Sequence, residues 1–335
     1  IAGSLSMWVG DRPNYGDGFH YWSVAQKDRG SLPLESFALD GALALWGAGD
    51  TKLGEAMRRR VSYYLNTYVR SGNGWVPNNR SVAGMAASFG EPGSIDLKHW
   101  EDACSFADGL AVYGRWMDLY ARLAATDSAW AVSTWPQAVQ MVNYTRRLRA
   151  NATDGDAESA GEVGRGMING PGEHDTCRDS QRFFHNNLWI WRGWISLSRW
   201  LDEEQSDLVN RSDVAELRAV LPDEAAAFKA DIDAAVGKST VVVEGTESYT
   251  FLPPWAAANF TPYTSMVETG GYAGGASYAN FRYWSEALSS GGLDPALATS
   301  VQRFRETHTG TLSGMTRFRD HLDDMPAEGY ARAAL

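Results

Sequence analysis

The feature that most constrains this chain is a repeated alternation of two kinds of helix. The run Leu34 to Trp46 (LESFALDGALALW) is apolar on nearly all sides, with small residues interleaved. A helix without a polar face is stable only when buried all round. After Gly47-Ala48-Gly49-Asp50, the segment Lys52 to Tyr68 is amphipathic, with Lys52, Glu55 and Arg58 to Arg60 expected to face solvent. A buried helix followed by an amphipathic one is an inner-outer hairpin. The pattern returns with Cys104 to Leu123 (CSFADGLAVYGRWMDLYARL) and its outer partner Trp135 to Leu148. It returns again with Arg182 to Leu201 (RFFHNNLWIWRGWISLSRWL), partnered by Val214 to Val236, where Pro222 predicts a break. Tyr278 to Leu288 opens a fourth hairpin closed by Pro295 to Glu306, and a fifth inner helix is predicted from Met325-Pro326, because Pro suits the first helical turn. Hairpins repeated in this way predict an all-α fold, an α/α toroid in a single domain over residues 1–335, incomplete, with about five inner helices. The chain stops at Leu335 inside the fifth, so a sixth hairpin is expected to follow.

Between the third and fourth hairpins, Thr240 to Val243 and Tyr249 to Phe251 flank Glu244-Gly245 and predict one β-hairpin, an excursion on one face. Ile1 to Pro33 is rich in Gly and Asp and reads as irregular structure. Two long polar stretches, Ser71 to Trp100 and Asn151 to Thr176, read as loops, and loops of that length are usually functional.

Composition narrows the partners. The formal net charge is -11 and no Lys/Arg-rich run occurs, which disfavours nucleic acid. No apolar run of about 18 residues is present, so no membrane-spanning helix is expected. Cys104 and Cys177 lie outside any CxxC, which argues against a zinc knuckle, and no cofactor motif occurs. If adjacent repeats align, the two cysteines, each near the start of an inner helix, could form a disulfide. Five Asn-x-Ser/Thr sequons, at Asn79, Asn143, Asn151, Asn210 and Asn259, point to a secreted or periplasmic protein. Ile1 opens the sequence without a leader, as expected where one has been removed. The 14 Trp and 14 Tyr admit two readings: core packing, and stacking against the C–H faces of sugars.

Hairpins that run in one sense bring the starts of all inner helices to one rim. Before the first lie His20, Tyr21, Trp22 and Glu35; before the second, His99-Trp100-Glu101-Asp102. Before the third lies Glu173-His174-Asp175, followed by Arg178, Asp179, His185, Asn186 and Asn187. Before the fourth lie Glu268 and Tyr272; before the fifth, His321, Asp323 and Asp324. All six histidines, the sixth being His308, fall in or near these segments. Helix capping accounts for some of the acids. It does not account for the accompanying His and Trp.

Acids converging on one opening suit glycoside hydrolysis. That chemistry needs a protonated carboxyl for the leaving oxygen and a second carboxylate as base or nucleophile. The candidate catalytic acids are Glu101, Asp102, Glu173, Asp175 and Glu268, with Glu101 or Asp102 expected as one carboxylate of the pair and Glu173 or Asp175 as the other. Candidate substrate contacts are His20, Tyr21, Trp22, Glu35, His99, Trp100, His174, His185, Asn186 and Tyr272. The small-aromatic inner helices, opened by His99-Trp100-Glu101-Asp102, Gly172-Glu173-His174-Asp175 and Leu322-Asp323-Asp324-Met325, resemble the six-hairpin glycosidase superfamily. The Leu322-Asp323-Asp324-Met325 step also resembles the paired-Asp step of α-1,6-mannanase-type toroids. The likeness is architectural and transfers no catalytic residue. It implies glycan hydrolysis with inversion, a carbohydrate substrate and no cofactor.

Three other readings compete. A polysaccharide lyase would use His185, Asn186, Asn187, Arg178, Tyr272 and Tyr278, although a net charge of -11 suits an anionic polymer poorly. A non-catalytic toroid would hold sugar in the same funnel. A metal site would draw on His99, His174 and neighbouring acids, with no ligand spacing in sequence to support it.

Overall fold

The computed structural model describes residues 51–69, 110–154, 163–172, 180–204, 207–244, 248–267 and 275–319, together with 8–9, 12–13, 321–322 and 330. These residues are mostly helical, with small antiparallel strand pairs. In chain order the elements are β1 (Trp8–Val9), β2 (Arg12–Pro13), α1 (Thr51–Tyr68), α2 (Ala111–Ala124), α3 (Ser128–Asp154), β3 (Gly170–Pro171), β4 (Ser180–Gln181), α4 (Phe184–Glu203) and α5 (Ser212–Ser239). They continue with β5 (Val241–Val243), β6 (Tyr249–Phe251), α6 (Ala276–Tyr278), a π-helical turn (Ala279–Tyr283), α7 (Trp284–Ser289), α8 (Pro295–Thr307), β7 (Thr311–Leu312), β8 (Met315–Phe318) and β9 (His321–Leu322). A short 3-10 turn, Asp207–Asn210, precedes α5.

The alternation read from the sequence is present three times. Every residue of α2 from Ala111 to Ala121 is buried, and so is every residue of 276–289. Helix α4 is buried along all of its first two turns. Each is followed by a helix with one buried stripe: Ala131, Trp135, Ala138, Val142 and Thr145 on α3; Val214, Leu217, Leu221, Ala225, Phe228, Ile232 and Ala235 on α5; Leu297, Val301 and Phe304 on α8. Steps of three and four are the helical repeat of a single face. Helix α1 buries Met57, Val61 and Leu65 and leaves Lys52, Glu55 and Arg59 in solvent, as expected, while Arg58 is half-buried against Asp127.

Several boundaries differ from expectation. Helix α3 starts at Ser128 rather than Trp135, because the Asp127 Oδ1 accepts from the Trp130 N–H at 2.9 Å and caps it there. Pro136 therefore sits inside the helix, on the exposed side. The same helix runs on through Asn151 to Asp154, residues expected in a loop. Helix α5 is not broken at Pro222. Helix α8 begins as expected, with Asp294 capping the N–H groups of Ala296 and Leu297 and Pro295 in the first position. The predicted β-hairpin exists, with Val241 opposite Phe251 and Val243 opposite Tyr249. Three further antiparallel arrangements escaped the sequence reading: β1–β2, β3–β4 and the three-stranded β7–β8–β9. Their strands are two to four residues long, too short for a readable period. Leu34 to Trp46, the Met325-Pro326 helix start, and both cysteines lie outside the described residues.

The described residues fall into two compact units, drawn from 1–106, 115–146 and 193–222 and from 107–114, 147–192 and 223–335. The first is centred on rings: Tyr120 meets Trp130, Trp135 and Trp200 at centroid distances of 5.2, 6.4 and 5.6 Å. Burial pushes the Tyr120 hydroxyl well above the usual phenol range, and it donates to the Ala131 carbonyl at 2.9 Å. Trp135 Nε1 donates to Asp213 at 3.1 Å, and Arg58 pairs with Asp127 at 3.2 Å. The second unit packs Phe251, Trp284 and Phe304 together, so the β5–β6 hairpin contributes to its core rather than standing apart as an excursion. Gly114 lies directly on the Trp189 carbonyl: a Cβ there would come within 1.9 Å of that oxygen. The small residues of a buried helix thus allow backbone-to-backbone approach. Trp116, Trp135, Trp189, Trp194, Trp200 and Trp284 are all buried, which assigns these six to the core.

Candidate functional site

Of the proposed site residues, His185 and Asn186 are described. Glu101, Asp102, Glu173, Asp175, Glu268, His20, Tyr21, Trp22, Glu35, His99, Trp100, His174 and Tyr272 lie outside the described residues, as does Arg178. What the structure gives is the framework from which several of these segments depart, and all of it belongs to the second unit.

Two segments matter. Residues 173–179, which carry Glu173, His174 and Asp175, connect β3 to β4, whose pairing sets Gly170 opposite Gln181 and Pro171 opposite Ser180. Both ends of that segment are therefore tied together immediately before the buried helix α4. Gly172, the last described residue before Glu173, lies against two rings. A Cβ there would sit 2.9 Å from Phe183 and 3.0 Å from Tyr283, so a side chain would force these packed rings to shift. Residues 268–274, which carry Glu268 and Tyr272, are likewise held at both ends. The Met266 N–H donates to the His308 carbonyl at 2.9 Å, and the Ser277 hydroxyl donates to the Met266 carbonyl at 3.2 Å. On the same side, the Val267 N–H donates to Ser265 Oγ at 3.2 Å, and Ser265 shares a hydrogen bond with Thr309.

One aromatic row joins these two anchors. His185 stacks on Tyr283 with centroids 4.7 Å apart and planes within 9°. Phe183 meets Tyr283 at 4.9 Å and His185 at 5.3 Å. Tyr278, beside Ser277, stacks near Tyr283 at 6.1 Å. The π-turn matters here. It carries Tyr283 and Arg282, and widening of a helix by one residue re-aims the side chains that follow. His185 and Tyr283 are both fully buried, so this part of the row belongs to the interior of the second unit.

Asn186 and Asn187 act as internal clamps. Asn186 Oδ1 accepts from the Ala111 N–H at 3.0 Å, at the start of α2. Asn187 Oδ1 accepts from the Ile168 N–H at 2.8 Å, and its Nδ2 donates to the Ile168 and Phe183 carbonyls at 3.1 and 2.8 Å. Both side chains are wholly buried with backbone partners, so the pair reads as packing in the interior. His308 ends α8, and its carbonyl is the group that holds Met266. Its ring stacks on Phe304 at 4.0 Å, with Nε2 3.3 Å from the Tyr249 hydroxyl. The terminus of α8 thus returns to the entrance of the buried helix that precedes it in the chain.

Three residues important to this framework escaped the sequence reading. Tyr283 and Phe183 looked like ordinary core rings. Asn280 had a signal, as the only amide in the apolar run YANFRYW. Its Nδ2 donates to the Gly310 and Arg317 carbonyls at 2.8 and 2.7 Å, and its Oδ1 accepts from Arg305 Nε at 3.2 Å. Arg305 also donates to Thr316 at 2.8 Å and lies over the Tyr330 ring at 3.5 Å. This buried cluster fastens β7 and β8 to the helices. Among the described residues, no group of three or more His, Cys, Asp or Glu could hold a metal ion, and no helix is long and apolar enough to cross a membrane.

Comparison with known protein families, with curated proteins and with solved structures gives no match for this chain.

Proposed function

We propose that the chain is a glycoside hydrolase built from the helical hairpins of an α/α toroid, with Glu268 and one of Glu173 or Asp175 as its acid and base. The supporting observation is the shared anchorage of the two acid-bearing segments. Gly172 leads into Glu173 against Phe183 and Tyr283, and Met266 leads into Glu268 bonded to Ser277, beside Tyr278 of the same aromatic row. Segments leaving from neighbouring anchors can oppose two carboxyls across one opening. One carboxyl protonates the glycosidic oxygen; the other activates water or attacks the anomeric carbon, according to their separation. Inversion is the expected outcome, with a neutral glycan as substrate. Secretion accords with the sequons.

The test is turnover of a panel of neutral poly- and oligosaccharides, followed by product analysis, with Glu268→Gln and Glu173→Gln as variants. Loss of an acid or base group lowers kcat by about 10²–10⁴. Both variants should retain parental circular dichroism and sugar affinity. Absorbance of an unsaturated uronate product would assign the protein to the lyases instead. Sugar binding without any turnover in the parent chain would make it a glycan-binding protein.

A further inference from the structure

We propose that Asn259 and Asn210 are N-glycan acceptors in this protein and that Asn143, with the same sequence signature, is not. The proposal is independent of the hydrolase reading. Five sequons look alike as sequence, but the fold separates those it describes.

At Asn259-Phe260-Thr261, the middle residue is the anchor. The Phe260 ring packs on Phe251 at 5.7 Å and on Trp255 at 5.2 Å, within the aromatic cluster of the second unit. Asn259 and Thr261, on either side of it, are both exposed. Asn259 has φ of 57°, the left-handed conformation that Asn tolerates better than most residues, and it stands in a turn outside any helix. The acceptor amide and the hydroxyl two residues on are thus both presented to solvent, with a half-buried, packed ring between them. Asn210 closes the one-turn 3-10 helix Asp207–Asn210, and both Asn210 and Ser212 are exposed where the chain turns into α5.

Asn143 stands inside α3. Residues i and i+2 of a helix do not share a face. Thr145 is fully buried, and the single proton of its hydroxyl is already committed to backbone. That proton is shared between the Met141 and Val142 carbonyls at 3.2 and 2.9 Å, and the oxygen accepts from Trp194 Nε1 at 3.0 Å.

The donor is a lipid-pyrophosphate-linked oligosaccharide. The asparagine amide nitrogen bonds to the anomeric carbon, the bond from that carbon to the lipid pyrophosphate breaks, and the amide nitrogen gives up one proton. The test is secretion of the full chain from a eukaryotic host, followed by enzymatic glycan release and peptide mass spectrometry of each sequon. Release converts a glycosylated Asn to Asp, which marks the occupied sites. We expect conversion at Asn259 and Asn210 and none at Asn143. Thr261→Ala should remove one glycan from the intact mass while Asn210 stays occupied. Ser212→Ala provides the reciprocal check, and both changes lie at exposed positions. A bare Asn259 in the parent chain, or an Asn143 occupied to the same extent, would overturn the proposal.

Discussion

Helix α5 and the helix over 276–289 behave in opposite ways. The first contains a proline in its interior and stays regular; the second contains none and widens into a π-turn. Pro222 lies on the exposed side of α5, between the buried positions Leu221 and Ala225. The buried stripe on either side of Pro222 continues without a change of phase, so tertiary packing offsets the missing N–H. In 276–289 the demand comes from outside the helix. Asn280 must reach the Gly310 and Arg317 carbonyls and Arg305, while Tyr330 donates to the Asn280 carbonyl itself. Tyr283 must meet His185 at the same time. A local breaker is thus overridden when it faces water, and a regular sequence is deformed when buried polar partners pull on it.

The largest expected effect comes from removing that pull. Asn280→Leu removes one hydrogen bond from each of two carbonyls and from the buried Arg305 guanidinium, which keeps Thr316. It should cost about 3–5 kcal/mol in urea unfolding. Loss below about 1 kcal/mol would mean that the cluster does not hold the turn. The reverse change belongs to α5. Pro222→Ala restores a backbone donor and should raise stability by about 1–3 kcal/mol. A destabilised variant would show that the helix depends on its proline.

Tyr330 gives a smaller and pH-dependent effect. Burial pushes its hydroxyl up to about 12, against a counteracting pull from Arg305. The folded state therefore favours the neutral phenol. Its contribution is complete below the unfolded value of about 10 and is lost as pH rises from there through about 12. Tyr330→Phe should cost about 1 kcal/mol at neutral pH and give a shallower alkaline unfolding curve. The smallest effect lies at the start of α5. The Arg211 hydrogen bond, aided by that from Trp135, holds the Asp213 carboxyl below its usual range despite partial burial. Stability from this group is present above the unfolded carboxylate value and disappears as pH falls through the lower folded one. Asp213→Asn should cost about 0.5 kcal/mol at pH 7 and nothing once the carboxyl is protonated. An equal cost at both extremes would place the effect in packing.

Much of the helical framework was legible in advance. The stripes of α1, α3, α5 and α8 are period patterns that any burying neighbour would use, and Asp294-Pro295 announces α8 chemically. The candidate site was legible only as segments. Glu173 and Glu268 each precede a helix that the sequence marks as buried, and nothing in their spacing of almost a hundred residues relates them. Asn186 stands near a helix start in the sequence, and that it binds the Ala111 N–H, 75 residues away, is not legible there.

The sequence by itself determined which helices are buried and which are amphipathic, because periodicity and side-chain polarity are local properties. Only the tertiary structure decided that Pro222 does not end a helix, that 279–283 widens, that Gly172 lies against Phe183 and Tyr283, and that Ser277 bonds to Met266. Those outcomes depend on hydrogen bonds and ring contacts between residues far apart in the chain. Such contacts acquire their energy only when packing removes the water that would otherwise compete for the same groups.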